Sequence, residues 1–279
     1  MLAWLVACVS TPFLSTSVGA ISAGGHRPIV LWHGMGDSCC NPDSMGYLST
    51  LLSANLNNTV FIHSVRLTAT EDDDKKAGFF GIASEQVDSV CKSLAEIAEL
   101  RNGFNAIGFS QGGLFLRAYV ERCVEGPRVF NLITYGTVCV ADAPGCEDAS
   151  DTNCALMRNL IRSGAYWSWV QNRVIQAQYF KDPTNIARYL EKNIFLPYIN
   201  NEIKSHRNEK YATSLKTLNK LVLIRFEDEK TVVPAESSWF GFYNDDKSEI
   251  MKIDEALLNN TIIPTYLANT VVDAASELK

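Results

Sequence analysis

The chain has 279 residues, 47% of them hydrophobic, and a formal net charge of −6. That length suffices for a sizeable domain with a real core. An acidic balance with no basic stripe argues against nucleic-acid binding.

Residues 2–14 are mostly apolar and small residues follow (Ser15, Ser17, Gly19, Ala20). The apolar part is too short to span a bilayer. The pattern predicts a secretory signal peptide over residues 1–20, cut near Ala20 or Ala23, although its basic n-region is missing. No later stretch is long and apolar enough for a transmembrane helix. Of the eight cysteines, Cys8 belongs to the signal, and Cys39, Cys40, Cys91, Cys123, Cys139, Cys146 and Cys154 remain. No C-x-x-C spacing points to zinc, and the pairing does not follow from spacing. Sequons at Asn57 and Asn259 are glycan acceptors in a secreted chain. Signal, cysteines and sequons together predict the secretory pathway.

Pro28 to Trp32 is a continuous apolar run, as in a buried strand. It leads into His33-Gly34-Met35-Gly36-Asp37, where the glycines let a backbone amide face a substrate. His33 reads as a residue bracing that loop rather than as a base. Residues 45–56 have helical spacing (Met45, Leu48, Leu51, Leu52, Leu56), and Val60-Phe61-Ile62 opens the next strand. The charge run Glu71 to Lys76 reads as a solvated loop. From Ser84 a long helix follows, with Val87, Val90, Leu94 and Ile97 on one face.

Phe104, Ala106 and Ile107 then lead into Gly108-Phe109-Ser110-Gln111-Gly112, and a helix-like run extends from Gln111 to Cys123. Val129 to Tyr135 is another apolar run. Strands alternating with helices predict an α/β class with a mostly parallel central sheet and helices on both faces. Residues 136–219 break the alternation with two helix-like segments carrying Tyr166, Trp167, Trp169, Tyr179, Phe180, Tyr189, Phe195 and Tyr198. They read as a helical insertion, about 140–219, above the sheet and over the serine. Its aromatics either line a lipophilic cleft or pack on one another. Strand character returns at Leu221 to Phe226, so residues 21–279 are expected to form a single domain.

The pentapeptide Gly108 to Gly112 fits G-x-S-x-G, the nucleophile elbow of α/β-hydrolases. A chain turning directly from strand to helix holds the serine at the tip in a strained conformation. Side chains two residues to either side would meet neighbouring backbone. The helix aims its N-terminal amides at the site, which favours negative charge near Ser110. In hydrolases of this fold an H-G loop after an early strand supplies one oxyanion-hole amide.

At this point the chain resembles the lysosomal palmitoyl-protein thioesterases. The resemblance is carried by Leu31-Trp32-His33-Gly34-Met35-Gly36-Asp37-Ser38-Cys39-Cys40, by Gly108 to Gly113, and by Ala165-Tyr166, Val170-Gln171, Gln176-Ala177 and Asp182-Pro183. It ends with Ser238-Trp239-Phe240-Gly241-Phe242-Tyr243, and so runs from about residue 28 to about 243. The resemblance implies an α/β-hydrolase fold. It also implies hydrolysis of long-chain fatty acyl (palmitoyl) thioesters on cysteines of lipid-modified proteins. Ser110 is the implied nucleophile and the amides of Met35 and Gln111 the oxyanion donors. The implied disulfides are Cys39–Cys40, Cys91–Cys123 and Cys146–Cys154, with Cys139 free. No cofactor, metal, nucleic acid or transmembrane segment is implied; the substrates are S-acylated proteins or fatty acyl thioesters, and the location is the lysosome or the exterior.

The chain departs from this pattern at two places. An aspartate precedes the proline of the acid loop in better-known members, whereas Val233 precedes Pro234 here. Asp228 or Glu229, with Glu227 also in the loop, are the substitutes. The order nucleophile, acid, histidine also calls for a late histidine, but the four histidines are His26, His33, His63 and His206, and none follows Phe226. The catalytic histidine is therefore unassigned, with His206 as a distant candidate. Three readings follow: an active enzyme in shortened or altered form, a pseudoenzyme that binds acyl groups, or a general lipase or esterase.

Overall fold

The computed structural model describes residues 25–137, 161, 163–229, 231–244 and 249–251. The signal segment, Cys139, Cys146–Cys154, Asn259 and the first part of the insertion lie outside the described residues. The first strand, β1 (Ile29–Trp32), is followed by helix α1 (Met45–Asn55) and strand β2 (Ile62–Ser64). Helices α2 (Glu71–Ala77) and α3 (Ala83–Ala95) come next, then strand β3 (Phe104–Phe109), helix α4 (Gln111–Arg122) and strand β4 (Val129–Tyr135). Short helices α5 (Ser168–Gln171), α6 (Ile175–Gln178), α7 (Ile186–Lys192), α8 (Leu196–Ile199) and α9 (Glu209–Leu215) precede strand β5 (Lys220–Ile224). A 3₁₀ turn, Ala235–Trp239, then precedes a small antiparallel pair, β6 (Phe242–Tyr243) with β7 (Ile250–Met251).

The sheet runs β2-β1-β3-β4-β5 with every pairing parallel. Alternation along β1 splits its side chains between two cores. Val30 and Trp32 join the face covered by α3 and α4, whereas Ile29 and Leu31 join the face where Met45, Leu48 and Leu52 of α1 pack. Burial on both faces explains why β1 reads as an unbroken apolar run. Because the strands are parallel, the loops after β1, β3, β4 and β5 emerge at one edge. Cys91 of α3 is bonded to Cys123 at the end of α4, with Cα atoms 5.6 Å apart. Closing such a loop contributes about 3–4 kcal/mol in the chain-entropy model. Cys39–Cys40 is also bonded.

Two expectations are corrected. The charge run is a helix, not a solvated loop. Thr70 caps α2 by accepting from the Asp73 amide at 3.2 Å, and its acidic first turn and basic last turn both complement the helix dipole. One member of the run, Asp74, is fully buried. In place of two helix-like segments, the described part of the insertion holds a series of short helices, α5 to α9 among them, interrupted around Asp182-Pro183 and restarted with Pro197 in the first turn of α8. Its aromatics divide. Tyr166, Tyr179, Phe180, Tyr189 and Phe195 are buried, and Phe195 meets Phe115 of α4 edge-on at 5.8 Å, while Trp167 and Trp169 face solvent. The S-W-F-G-F-Y string also acquires a role. Trp239 Nε1 donates to the Leu223 carbonyl at 3.1 Å and Arg225 lies 4.6 Å over its ring, which pins the segment to β5.

Candidate active site

Ser110 occupies the junction of β3 and α4 at φ 48, ψ −116. A non-glycine residue at positive φ is strained, and two contacts hold it there. Its amide donates to the Tyr135 carbonyl at 2.7 Å, and its own carbonyl accepts from Gly113 at 3.1 Å and Leu114 at 3.3 Å, starting α4. The flanking glycines are required by close backbone approach. A Cβ at Gly108 would lie 2.5 Å from Gly113 Cα, and one at Gly112 would lie 2.3 Å from the Trp32 carbonyl oxygen and 2.4 Å from that of His33. The elbow is thus pressed against the loop after β1, where a Cβ on Gly34 would sit 3.5 Å from Ser110 Cβ. Gly112→Ala should therefore cost on the order of 1–3 kcal/mol or more through overpacking. Urea denaturation checks this, and wild-type stability would contradict the packing.

His33 begins the loop after β1 and is buried. Its Nδ1 lies 2.8 Å from the Gly34 carbonyl oxygen, and its Nε2 lies 3.3 Å from Asp74 Oδ2. Both neighbours are acceptors, an arrangement that favours the doubly protonated ring. Burial pulls the His33 pKa down. The Asp74 carboxylate, the Gly34 carbonyl and the charges of Asp74 and Asp37 outweigh it, and the net shift is upward. Burial likewise pushes the Asp74 carboxyl up, but His33 and the amides of Cys39 (3.0 Å) and Leu67 (2.7 Å) bring it below its ordinary value. Asp74 thus ties the loop after β1, the Cys39–Cys40 turn and the segment after β2 to one carboxylate.

The other histidines lie away from the elbow. His26 precedes β1 at the opposite edge of the sheet. His63 is on β2, beyond β1 from β3, and burial lowers its pKa. His206 is exposed, beside Ser205 at 3.0 Å and the Tyr198 ring at 5.6 Å. None of the four rings hydrogen-bonds to Ser110 among the described residues.

In the loop after β5, Glu227 and Asp228 are exposed and Glu229 is half-buried. Glu229 Oε1 accepts from the amides of Thr231 at 2.7 Å and Val232 at 2.9 Å. Its Oε2 would lie 3.5 Å from a Cβ on Gly136, the residue just past β4. The Gln111 side chain points into the insertion, where its Oε1 accepts from Tyr179 Oη at 3.1 Å and Gln176 Nε2 at 3.4 Å. Phe109, Tyr135 and Phe226 form a stack beside the elbow, with centroid separations of 4.8 and 6.4 Å.

A family model for palmitoyl protein thioesterase matches residues 28–265. The chain belongs to the palmitoyl-protein thioesterase family. The match extends past residue 243, where the sequence resemblance was expected to end. A Caenorhabditis elegans protein named palmitoyl-protein thioesterase 1 is 43% identical over 231 residues, spanning 82% of this chain and 76% of that protein. A Drosophila melanogaster lysosomal thioesterase homolog is 26% identical over 252 residues, spanning 88% of this chain and 79% of that protein. The solved structure of an extracellular α/β-hydrolase from a Paenibacillus species aligns with a TM-score of 0.39 at 12% identity, over 76% of this chain and 86% of that one. Membership of the family makes the chain a hydrolase of thioesterase type on the α/β-hydrolase fold. Nothing in the linear pattern marks Asp74, Gln176 or Tyr179 as neighbours of this site. The one available signal was Thr70 three residues before Asp73, a helix start that turns the charge run into an element with an inner face.

Proposed function

We propose that the protein hydrolyses long-chain fatty acyl thioesters, such as palmitoyl groups on protein cysteines, through a serine nucleophile and an acyl-enzyme. The observation that carries this is Ser110 held at positive φ on a turn whose glycines are pressed against the loop after β1. Ser110 attacks the thioester carbonyl. The amides of Met35 and Gln111 stabilise the oxyanion, and the thiolate leaves. A cysteine thiol has a pKa near ~8.5, so its departure needs less protonation than an alkoxide. Water then releases the fatty acid.

Glu229 is favoured over Asp228 as the acid, because two amides anchor it and it lies beside Gly136, one residue past the Tyr135 carbonyl that holds Ser110. The stack of Phe109, Tyr135 and Phe226 offers apolar surface next to the nucleophile. A lysosomal or secreted location fits the relatives' printed names and the exposed sequon at Asn57, on the turn after α1. A second reading, acyl binding with little turnover, is favoured by the absence of a histidine contact at Ser110 among the described residues.

Intact-mass analysis tests the nucleophile. After incubation with a palmitoyl thioester and imidazole as external base, one acyl adduct is expected on the wild type and none on Ser110→Ala. A folded wild type without the adduct overturns the assignment. Calorimetry with a palmitoyl thioether should show the negative heat-capacity change of apolar burial in both proteins. Its absence argues against both readings.

A further inference from the structure

Three glutamines of the α5–α6 region are buried, and two of them use both the nitrogen and the oxygen of the carboxamide on backbone. Gln171 donates to the carbonyls of Ala165 and Ala177 and accepts from the Ile194 amide. Gln178 donates to the Gly81 carbonyl and accepts from the Ala83 amide. Both lock the insertion to its surroundings.

Gln176 behaves differently. Its Nε2 donates to the Gly78 carbonyl at 2.9 Å and to Gln111 Oε1 at 3.4 Å, while its own buried Oε1 has no partner among the described residues. Gly78 lies against the oxyanion loop: a Cβ there would sit 3.2 Å from the Gly36 nitrogen and 3.6 Å from Met35 Cα. One amide nitrogen therefore bridges the segment touching Met35 and the side chain of Gln111. Those are the two residues whose backbone amides the proposed function uses as oxyanion donors.

We infer that Gln176 is a positioning residue of the oxyanion hole, setting the spacing between the loop after β1 and the start of α4. The inference rests on the oxyanion reading proposed above. Side-chain chemistry supports it. A planar amide nitrogen directs two uncharged donors along diverging lines. A glutamate has none when ionised, and asparagine is one methylene short. An unpaired buried acceptor is unfavourable, and a role in packing alone would be met by methionine without that orphan oxygen.

The test measures binding of octylsulfonate, a stable anion for the oxyanion hole, against octanol as an uncharged reference. The wild type should prefer the sulfonate. Gln176→Met should lose about ten- to a hundredfold of that preference, the scale of a displaced catalytic geometry, with octanol affinity unchanged. Gln176→Asn gives the same comparison where Gln176→Met fails to fold. A variant that keeps the wild-type preference overturns the inference, as does equal weakening of both ligands, which would mark a merely structural role. Equal affinity of the wild type for both ligands instead overturns the oxyanion reading itself, and so separates the two failures.

Discussion

Palmitoyl thioester hydrolysis by this chain should be slow, no more than roughly 10³-fold above the water rate, which is what an oxyanion hole and binding supply without a complete triad. The cause is the proton on Ser110. Each histidine ring is engaged or placed elsewhere: His26 ahead of β1, His33 on Asp74 and Gly34, His63 on β2, His206 on Ser205 and Tyr198. Loss of the base in a serine hydrolase costs roughly a millionfold in kcat. Ser110→Ala should then change the rate little, because a nucleophile without a base contributes little. Added imidazole should raise the wild-type rate by more than it raises the protein-free rate, and should give Ser110→Ala no such extra gain. High activity without imidazole, lost in Ser110→Ala alone, would refute the missing-base reading. High activity lost in His206→Ala as well would make His206 the base.

Asp74→Ala should destabilise the fold by about 3–5 kcal/mol, the usual cost of leaving one member of a buried ion pair alone. The loss has two sources. His33 keeps a buried site built for its charged form, and the amides of Cys39 and Leu67 lose their acceptor. At roughly 2–4 °C per kcal/mol for a domain of this size, the melting point should fall by about 6–20 °C. The pH dependence follows from the two shifts. His33 has a raised pKa, so its contribution is complete below its ordinary value of 6.5 and is lost as pH rises through the folded value. Asp74 has a lowered pKa, so its contribution is complete above its ordinary value of 3.8 and is lost as pH falls through the folded value. The pair is therefore fully stabilising between about 4 and 6.5. Denaturation at a series of pH values should show this window in the wild type and a flatter profile in Asp74→Asn. Matching profiles would remove the pair from the account.

The elements that read clearly in the sequence share a physical cause. β1, β4 and α3 carry local patterns that one face or two faces of burial impose on any chain, and Gly108-Phe109-Ser110-Gln111-Gly112 is local in the same sense. Gly108 meets backbone only a few residues along, at Gly112 and Gly113, although Gly112 is also required by the carbonyls of Trp32 and His33 on a distant part of the chain. The sequence alone thus determined the α/β class, the elbow and the family. What lay beyond it depends on partners distant along the chain. Asp74 looks like one more charge in a solvated run until the turn of α2 carries it inward to His33. Gln176 looks like one more polar residue in an aromatic insertion until α6 sets it between Gly78 and Gln111. Trp239 has no visible task until the Leu223 carbonyl meets its indole. Only the tertiary structure decided these, because a buried polar side chain takes its meaning from the one group placed to satisfy it, and a linear pattern does not contain that placement.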